Sequence, residues 1–386
     1  MQSRKINLII TGGIGATKSM QLYSLLNQKY DVNVIVTKSG AKFIDEQIPV
    51  KDHNIFDHDK YDAHTYGEHI KLTNEADITI VYPATYNIIG KVANGIADDF
   101  ASLLLAAFPK PIIYFPSMNE NMYNNDVMKR NKDIITNSNM NIWYEPKVGR
   151  LASGHIGIGR LPEPNEAFEF VTSTLFNFDN LYDKRILINL GRTRSYIDNV
   201  RYITNGSSGK MGSSLINIAK TFTNNISIVK GDTDVYVSNA IPVITNQEMF
   251  EEMKMQFANS DIVICTAALY DFEVSKKLNH KISKEDGLDL EFTKSIDVLE
   301  ELGKMKTNQT LVGFSLADDY DLEKAYAKMK RKNMDVLILN QISAMGNDNN
   351  EIIILNSKDS TTKKIDSSSK QNIAFEIWKY LNEYKK

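Results

Sequence analysis

Short, almost uninterrupted apolar runs separated by amphipathic stretches set the rhythm of this chain. INLIIT (6–11), VNVIVT (32–37), ITIVYPAT (78–85) and PIIYFPSM (111–118) lack the polar alternation of a half-exposed strand, so they predict strands covered on both faces. Helical spacing is expected after TGGIGA through about Leu26, and again from Ile88 to about Ala107. That alternation predicts a parallel sheet with crossover helices. A second cycle starts after FNFDNLYDKR (176–185): RILINLG, ISIVKG, DIVICTAA, TLVGFS and MDVLILN (185–340) read as strands, and Lys210 to Phe222 as a helix. The expected fold class is therefore α/β, with two doubly wound Rossmann-like domains, 1–180 and 181–386. LASGHIGIGRLPEP (151–164) reads as a loop, because each glycine costs backbone entropy on ordering. KDSTTKKIDSSSK (358–370) reads as a solvated loop before a final helix.

Composition narrows the classes. A length of 386 residues exceeds one ordinary core, and 42% hydrophobic with 24% charged residues is typical of soluble globular chains. A net charge of -3 gives no bulk attraction to nucleic acid or anionic membrane. The single cysteine, Cys265, excludes an internal disulfide or a cysteine-rich zinc site, and its apolar strand makes it a packing residue. MQSRKINLII has no signal-peptide design and no apolar run reaches ~18 residues, so a cytoplasmic protein is expected.

Ligands in open α/β sheets gather at the carboxyl ends of strands. TGGIGA sits there, and Gly12, Gly13 and Gly15 would let a ligand approach the backbone; a plain tight turn is the other reading, since Lys18 breaks the dinucleotide fingerprint. Thr37 and Ser39 suit either phosphate binding or helix capping. PATYNIIGKVANGIADD (83–99) and PSMNENMYNN (116–125) place hydroxyls, amides and methionines at two more strand ends. The histidines of KDHNIFDHDKYDAH (51–64) read as a solvated loop, so no metal ligands are assigned. GRTRSYIDNVRYITNGSSGKMG (191–212) joins glycines, hydroxyls and cations between a strand and a helix, a natural phosphate cradle. Lys328 and Lys332 lie one helical turn apart and can face one polyphosphate, a solvated helix face being the other reading of this basic run.

TGGIGATK, EHIKL, PATYN, ANGIADD and PSMNENMY, in this order, resemble the cysteine decarboxylase flavoproteins, most closely the phosphopantothenoylcysteine decarboxylase half of the bifunctional coenzyme A biosynthesis proteins. The resemblance implies a flavodoxin-like, FMN-binding domain in which FMN oxidises the substrate thiol, easing loss of carbon dioxide and leaving an ene-thiol. It implies His69 as catalytic base, Asn119 for the substrate carboxylate, and Met122 beside the substrate. Gly12, Gly13, Gly15, Ser39, Thr85 and Asn87 would bind the flavin, and Tyr86 departs from the usual small residue. The glycine-rich stretch corresponds to a flap that closes on substrate, its glycines serving motion. Ser153 stands where the family has the cysteine that donates a proton in the reductive step, and His155 where an acid is common. A hydroxyl is a far weaker acid than a thiol, so three explanations follow: an engineered trap, a natural enzyme releasing an oxidised ene-thiol, or proton donation by His155.

The second half resembles the phosphopantothenate–cysteine ligase domain, through the 191–212 segment, TAALYDF (266–272), HKISK (280–284), VGFS (312–315), the lysine pair and NDNN (347–350). Arg192 and Ser195 depart from the commoner residues. The resemblance implies a CTP-dependent reaction through an acyl-cytidylate, with Mg²⁺ bridging phosphate oxygens. Asn205 and Lys281 would handle that intermediate. Arg201, Ser207, Ser208, Gly209, Lys210, Asp271, Phe314, Lys328 and Lys332 would bind substrate or nucleotide, although Lys210 also suits a helix start. The substrates would be 4'-phosphopantothenate, cysteine, CTP and phosphopantothenoylcysteine. The assembly would be a homo-oligomer of trimeric decarboxylase and dimeric ligase domains. A non-catalytic flavin-binding regulator is the alternative from another class; such relatives commonly carry long acidic extensions, which this chain lacks.

Overall fold

Six parallel strands form the first sheet, and its central strands are covered on both faces. The computed structural model describes residues 4–44, 55–57, 67–138, 140–151, 154–283, 289–317, 321–341 and 349–384. The chain divides into two units, Met1–Phe176 and Asn177–Lys386. In the first, β1 (Lys5–Ile10), β2 (Asp31–Val36), β3 (Ile55–Asp57), β4 (Ile78–Ala84), β5 (Ile112–Pro116) and β6 (Asn141–Trp143) lie in the order β3-β2-β1-β4-β5-β6. Every residue of β4 and β5 is buried, which is why these runs carry no polar alternation. Helices α1 (Ser19–Asn27), α2 (Glu68–Glu75), α3 (Tyr86–Ala93), α4 (Phe100–Ala107), α5 (Glu120–Asn124), α6 (Asp126–Thr136) and α7 (Pro164–Thr174) complete the unit. Strand order reverses between β1 and β4, the kind of switch point at which open α/β sheets bind ligands.

Two expectations need correction here. The helix from Ile88 to Ala107 is two helices, α3 and α4, broken where Gly95 takes a left-handed φ of 68°. Asp99 restarts the chain: its carboxylate accepts from the Ser102 N–H at 2.8 Å while the Ser102 hydroxyl accepts from the Asp99 N–H at 3.1 Å. Such a reciprocal cap is worth ~1 kcal/mol, enough to end one helix and start the next. The second correction concerns the glycine-rich stretch, which contains a strand: β7 (Lys147–Arg150) and β8 (Ile156–Arg160) pair as an antiparallel hairpin. A Cβ on Gly157 would collide with the Glu120 carboxylate, and one on Gly159 with the Met118 carbonyl. The Met118 N–H donates to the Gly159 carbonyl at 3.1 Å. These glycines therefore allow close packing of β8 on residues 118–120, whereas Gly154, with φ 84° and no atom near its missing Cβ, serves the turn.

The second unit has β9 (Ile186–Leu190), β10 (Arg194–Tyr196), β11 (Tyr202–Thr204), β12 (Ile226–Lys230), β13 (Ile241–Pro242), β14 (Ile262–Cys265), β15 (Phe272–Val274), β16 (Phe292–Lys294), β17 (Thr310–Ala317), β18 (Val336–Gln341), β19 (Asn349–Asn356) and β20 (Thr362–Ser369). Its main sheet runs β13-β12-β9-β14-β17-β18-β19-β20, with the last two strands antiparallel; β10–β11 and β15–β16 are separate hairpins. The helices are α8 (Lys210–Ala219), α9 (Asn246–Phe257), α10 (Val298–Met305), α11 (Leu322–Arg331) and α12 (Lys370–Glu383). Leu187, Val263, Leu311, Leu337 and Leu339 pack with Met249, Met253, Leu302 and Met329 on one face of the sheet. α8 and α12 pack together, the buried Trp378 indole donating to the Leu215 carbonyl at 2.9 Å. The segment expected as a loop at 358–370 supplies β20, anchored by the buried Ile365. An edge strand needs only one apolar anchor here, and its lysines discourage pairing with another chain.

Gly159→Ala should destabilise the first unit by about 1–3 kcal/mol, since the side chain is excluded and φ is 131°. Denaturant unfolding measures this, and unchanged stability would contradict the packing role.

Candidate active sites

At the first switch point, a single buried hydroxyl ties two strands. Thr11, following β1, donates to the Pro83 carbonyl at 2.7 Å and sits 3.0 Å from the Thr85 hydroxyl. The Thr85 N–H returns to the Thr11 hydroxyl at 3.3 Å. Gly12 abuts Ser39 so closely that no Cβ would fit, and a Cβ on Gly13 would lie 3.4 Å from the Thr85 methyl. A Cβ on Gly15 would lie 3.0 Å from the Ser117 hydroxyl. The structure thus gathers Gly12, Gly13, Gly15, Ser39 and Thr85 into one notch of backbone and hydroxyl groups. Thr11 and Ser117 belong to it as well and were not singled out from sequence, because a hydroxyl at a strand end looks like any other.

The remaining residues of this half are more dispersed. Asn87 is exposed in the first turn of α3. Asn119 is exposed and caps α5, its side-chain oxygen accepting from the Asn121 N–H at 2.9 Å. Met122 is exposed on α5. His69 is half-buried in the first turn of α2, its ring edge-on to Phe100 with centroids 6.4 Å apart. His155 is exposed at the β7–β8 turn, and Ser153 lies outside the described residues.

The second unit holds a cavity of about 800 Å³. Asn205, Ser207, Ser208, Gly209 and Lys210 line it at the start of α8, with Asp271, Phe314, Lys328 and Lys332 on other walls. Gly209 takes a left-handed φ of 76°, turning the chain into α8 with the backbone open to the cavity. The Arg192 guanidinium donates to the Ser207 carbonyl at 2.5 Å and pairs with Asp234 at 2.9 Å, fixing this turn from behind. The Lys328 ammonium donates to the Ser315 hydroxyl at 2.9 Å; burial, reinforced by the like charge of Lys332, holds its pKa below the ordinary lysine value. Burial pushes the Asp297 carboxyl up, but Lys332 at 2.5 Å and the Glu300 N–H outweigh it, leaving the group below its ordinary range. Burial also pushes the Cys265 thiol up to about 12, so it stays a thiol in the cavity wall. Among the described residues, no three His, Cys, Asp or Glu side chains gather as a metal cage.

Two named residues lie outside the cavity lining. Lys281 is on an exposed segment. Arg201 is engaged with the buried Asp198 at 2.5 Å and with the Ile282 carbonyl at 3.2 Å. The role of Asp198 was not legible, since its other partners are backbone N–H groups of Val200, Arg201 and the distant Ile282. Asn189 was missed for the same reason: its side-chain oxygen accepts from the Thr266 and Ala267 N–H groups at 2.8 and 2.9 Å.

Residues 1–176 match the Flavoprotein family, and residues 181–384 match the DNA/pantothenate metabolism flavoprotein C-terminal domain family. The chain is 35% identical over 397 residues to the coenzyme A biosynthesis bifunctional protein CoaBC of Bacillus subtilis (strain 168), covering 98% of this chain and 96% of that relative. The chain belongs to the coenzyme A biosynthesis bifunctional protein family. The family member of Borreliella burgdorferi is 33% identical over 394 residues, covering 98% of this chain and 99% of its own length. A solved C-terminal domain of a CoaBC protein is 29% identical, with a TM-score of 0.45, covering 53% of this chain and 97% of that one. The chain is accordingly a bifunctional flavoprotein, a decarboxylase joined to a ligase in coenzyme A biosynthesis, and membership favours neither the ene-thiol-releasing nor the regulatory alternative. No helix among the described residues is long and apolar enough to cross a membrane.

Burial raises the Asp198 carboxyl, but three backbone N–H groups and Arg201 outweigh it and hold the group well below the carboxylate range. A depressed native pKa contributes stability above the unfolded carboxylate pKa, lost as pH falls through the native value. Asp198→Asn should therefore lower the melting temperature near neutral pH and flatten its acid limb; an unaltered acid limb contradicts this.

Proposed function

We propose that the first unit binds FMN in the notch around Thr11 and that the second condenses 4'-phosphopantothenate with cysteine at the expense of CTP. The observation supporting the flavin site is the cradle itself: glycines that draw the backbone after β1 against Ser39, Thr85 and Ser117, gathering backbone and hydroxyl groups at the sheet's switch point. Gly12, Gly13, Gly15, Ser39, Thr85 and Asn87 hold the cofactor. Bound there, the flavin supplies two-electron oxidation of the substrate thiol. His69 accepts a substrate proton, a task suited to imidazole near neutral pH, and Asn119 holds the carboxylate that leaves as carbon dioxide. Met122 lies against the substrate.

The observation supporting CTP is the single cavity that joins the start of α8 to Lys328 and Lys332. The phosphopantothenate carboxylate attacks the α-phosphorus, an acyl–O–P bond forms and pyrophosphate leaves. Cysteine's amine then attacks the acyl carbon; the C–N bond forms, the C–O bond breaks, CMP departs and one proton passes to solvent. Ser207, Ser208, Gly209, Lys210, Lys328 and Lys332 hold phosphates, Phe314 packs on the base, and Asn205 and Lys281 handle the acyl-cytidylate. Mg²⁺ entering with the nucleotide would neutralise phosphate charge in the cavity that Asp271 helps to line. Arg201 acts through Asp198, holding the β10–β11 hairpin. The enzyme works in the cytoplasm as a homo-oligomer of trimeric decarboxylase and dimeric ligase units.

FMN-loaded protein given phosphopantothenoylcysteine under argon should release carbon dioxide and yield phosphopantetheine, with a slow reductive step because Ser153 replaces a thiol. His155→Gln should then accumulate a product two hydrogens short, read by mass. Full-mass product from that variant rejects His155 as donor, and no carbon dioxide loss from the wild type rejects the decarboxylase site.

A further inference from the structure

Behind the ligase cavity, one buried carboxamide joins three segments that lie far apart in the chain. Asn246, the first residue of α9, is 0% exposed, and so is Thr193 just before β10. The start of α9 is itself fixed by a capping box, Thr245 with Glu248. The Asn246 side-chain nitrogen donates to the Tyr270 carbonyl at 2.8 Å and to the Ser295 hydroxyl at 2.7 Å. Its side-chain oxygen accepts from the Thr193 hydroxyl at 2.5 Å, and its backbone N–H donates to the Tyr270 phenol oxygen at 3.1 Å. Because the Tyr270 carbonyl can only accept, the amide has one workable orientation, with both N–H donors and the oxygen engaged.

These bonds close a ring around Asn205. On one side the Thr193 carbonyl accepts from the Thr204 hydroxyl at 2.7 Å, and Thr204 directly precedes Asn205. On the other, the Asn205 side-chain nitrogen donates to the Leu269 carbonyl at 2.8 Å, and Leu269 directly precedes Tyr270. Asn246 ties together the two segments that grip Asn205. Asn205 lines the cavity, whereas Thr193, Thr204 and Asn246 are not among its lining residues. We propose that Asn246, through Thr193 and Tyr270, is a positioning residue for the amide-forming half of the ligase reaction, setting where the Asn205 carboxamide meets the acyl-cytidylate. A fully satisfied buried polar network makes its members rigid, and a small misplacement of a reacting or orienting group removes rate without removing the pocket. The inference rests on the reading of Asn205 as the residue that handles the acyl-cytidylate, and adds what holds it in place.

The test cuts the ring in the full-length protein and reads the two half-reactions separately, as pyrophosphate release and as CMP release after cysteine is added. Thr193→Val keeps the side-chain shape and deletes the donor to Asn246. It should slow CMP release at saturating cysteine by about tenfold, with acyl-cytidylate accumulating and the pyrophosphate burst at its wild-type rate. Thr193→Ser, which keeps the hydroxyl, should return CMP release to within about threefold of the wild type. Thr204→Val, on the exposed strand β11, cuts a second bond of the ring and should show the same split even where Thr193→Val does not fold. In an Asn205→Ala background neither valine should slow CMP release further, because nothing is left to position. Equal slowing of both half-reactions, wild-type CMP release from both valine variants, or an undiminished penalty in the Asn205→Ala background overturns the proposal. Wild-type CMP release from Asn205→Ala alone instead rejects the reading of Asn205, and the role of the ring with it.

Discussion

Where neighbouring parallel strands part at a switch point, their backbone groups lose each other as partners, and each unit of this protein fills the gap with one buried polar side chain. In the first unit, Thr11 spans β1 and β4 by donating to the Pro83 carbonyl and receiving the Thr85 N–H. In the second, Asn189 spans β9 and β14 by accepting from two successive N–H groups, Thr266 and Ala267. Without these links the strand ends would hold buried, unsatisfied backbone groups, each costing on the order of 1–3 kcal/mol, and would close up or admit water. With them, the crevices stay open and the loops above have fixed origins.

What surrounds each crevice differs in charge, and that difference sorts the chemistry. The first notch is built from glycine backbone and hydroxyls. The second couples a helix start to two lysines, one with a pKa depressed by burial and by the like charge of the other, which is itself paired with Asp297. The hairpin of β7 and β8 packs by the same economy of space. Its glycines let the strand lie directly on the Met118–Glu120 segment that carries Asn119.

Much of the fold was legible because central parallel strands are apolar on both faces, as in ITIVYPAT and DIVICTAA. The errors share a cause. Glycine in 157–159 was read as backbone freedom when it marks the exclusion of a Cβ by a distant segment. The polar strand β20 was read as a loop because an edge strand with one buried residue lacks a hydrophobic pattern. The break between α3 and α4 is written in the sequence as Asn-Gly followed by Asp-x-x-Ser. For the candidate sites, the loops that carry chemistry stood out by composition, as at 205–210, and Lys328 with Lys332 by spacing. The residues that hold those loops, Thr11, Asn189 and Asp198, do not stand out in the sequence, since each has a partner far off in the chain, Pro83, Thr266 and Ile282 respectively.

The most direct test of this account is calorimetric titration of CTP into full-length Asn189→Ala protein, with flavin content per chain measured on the same sample. The account predicts that CTP affinity falls at least tenfold while flavin content matches the wild type, because only the second unit's switch point has been cut. CTP binding at wild-type affinity would mean that the carboxamide bridge does not hold the site, and would contradict the central claim.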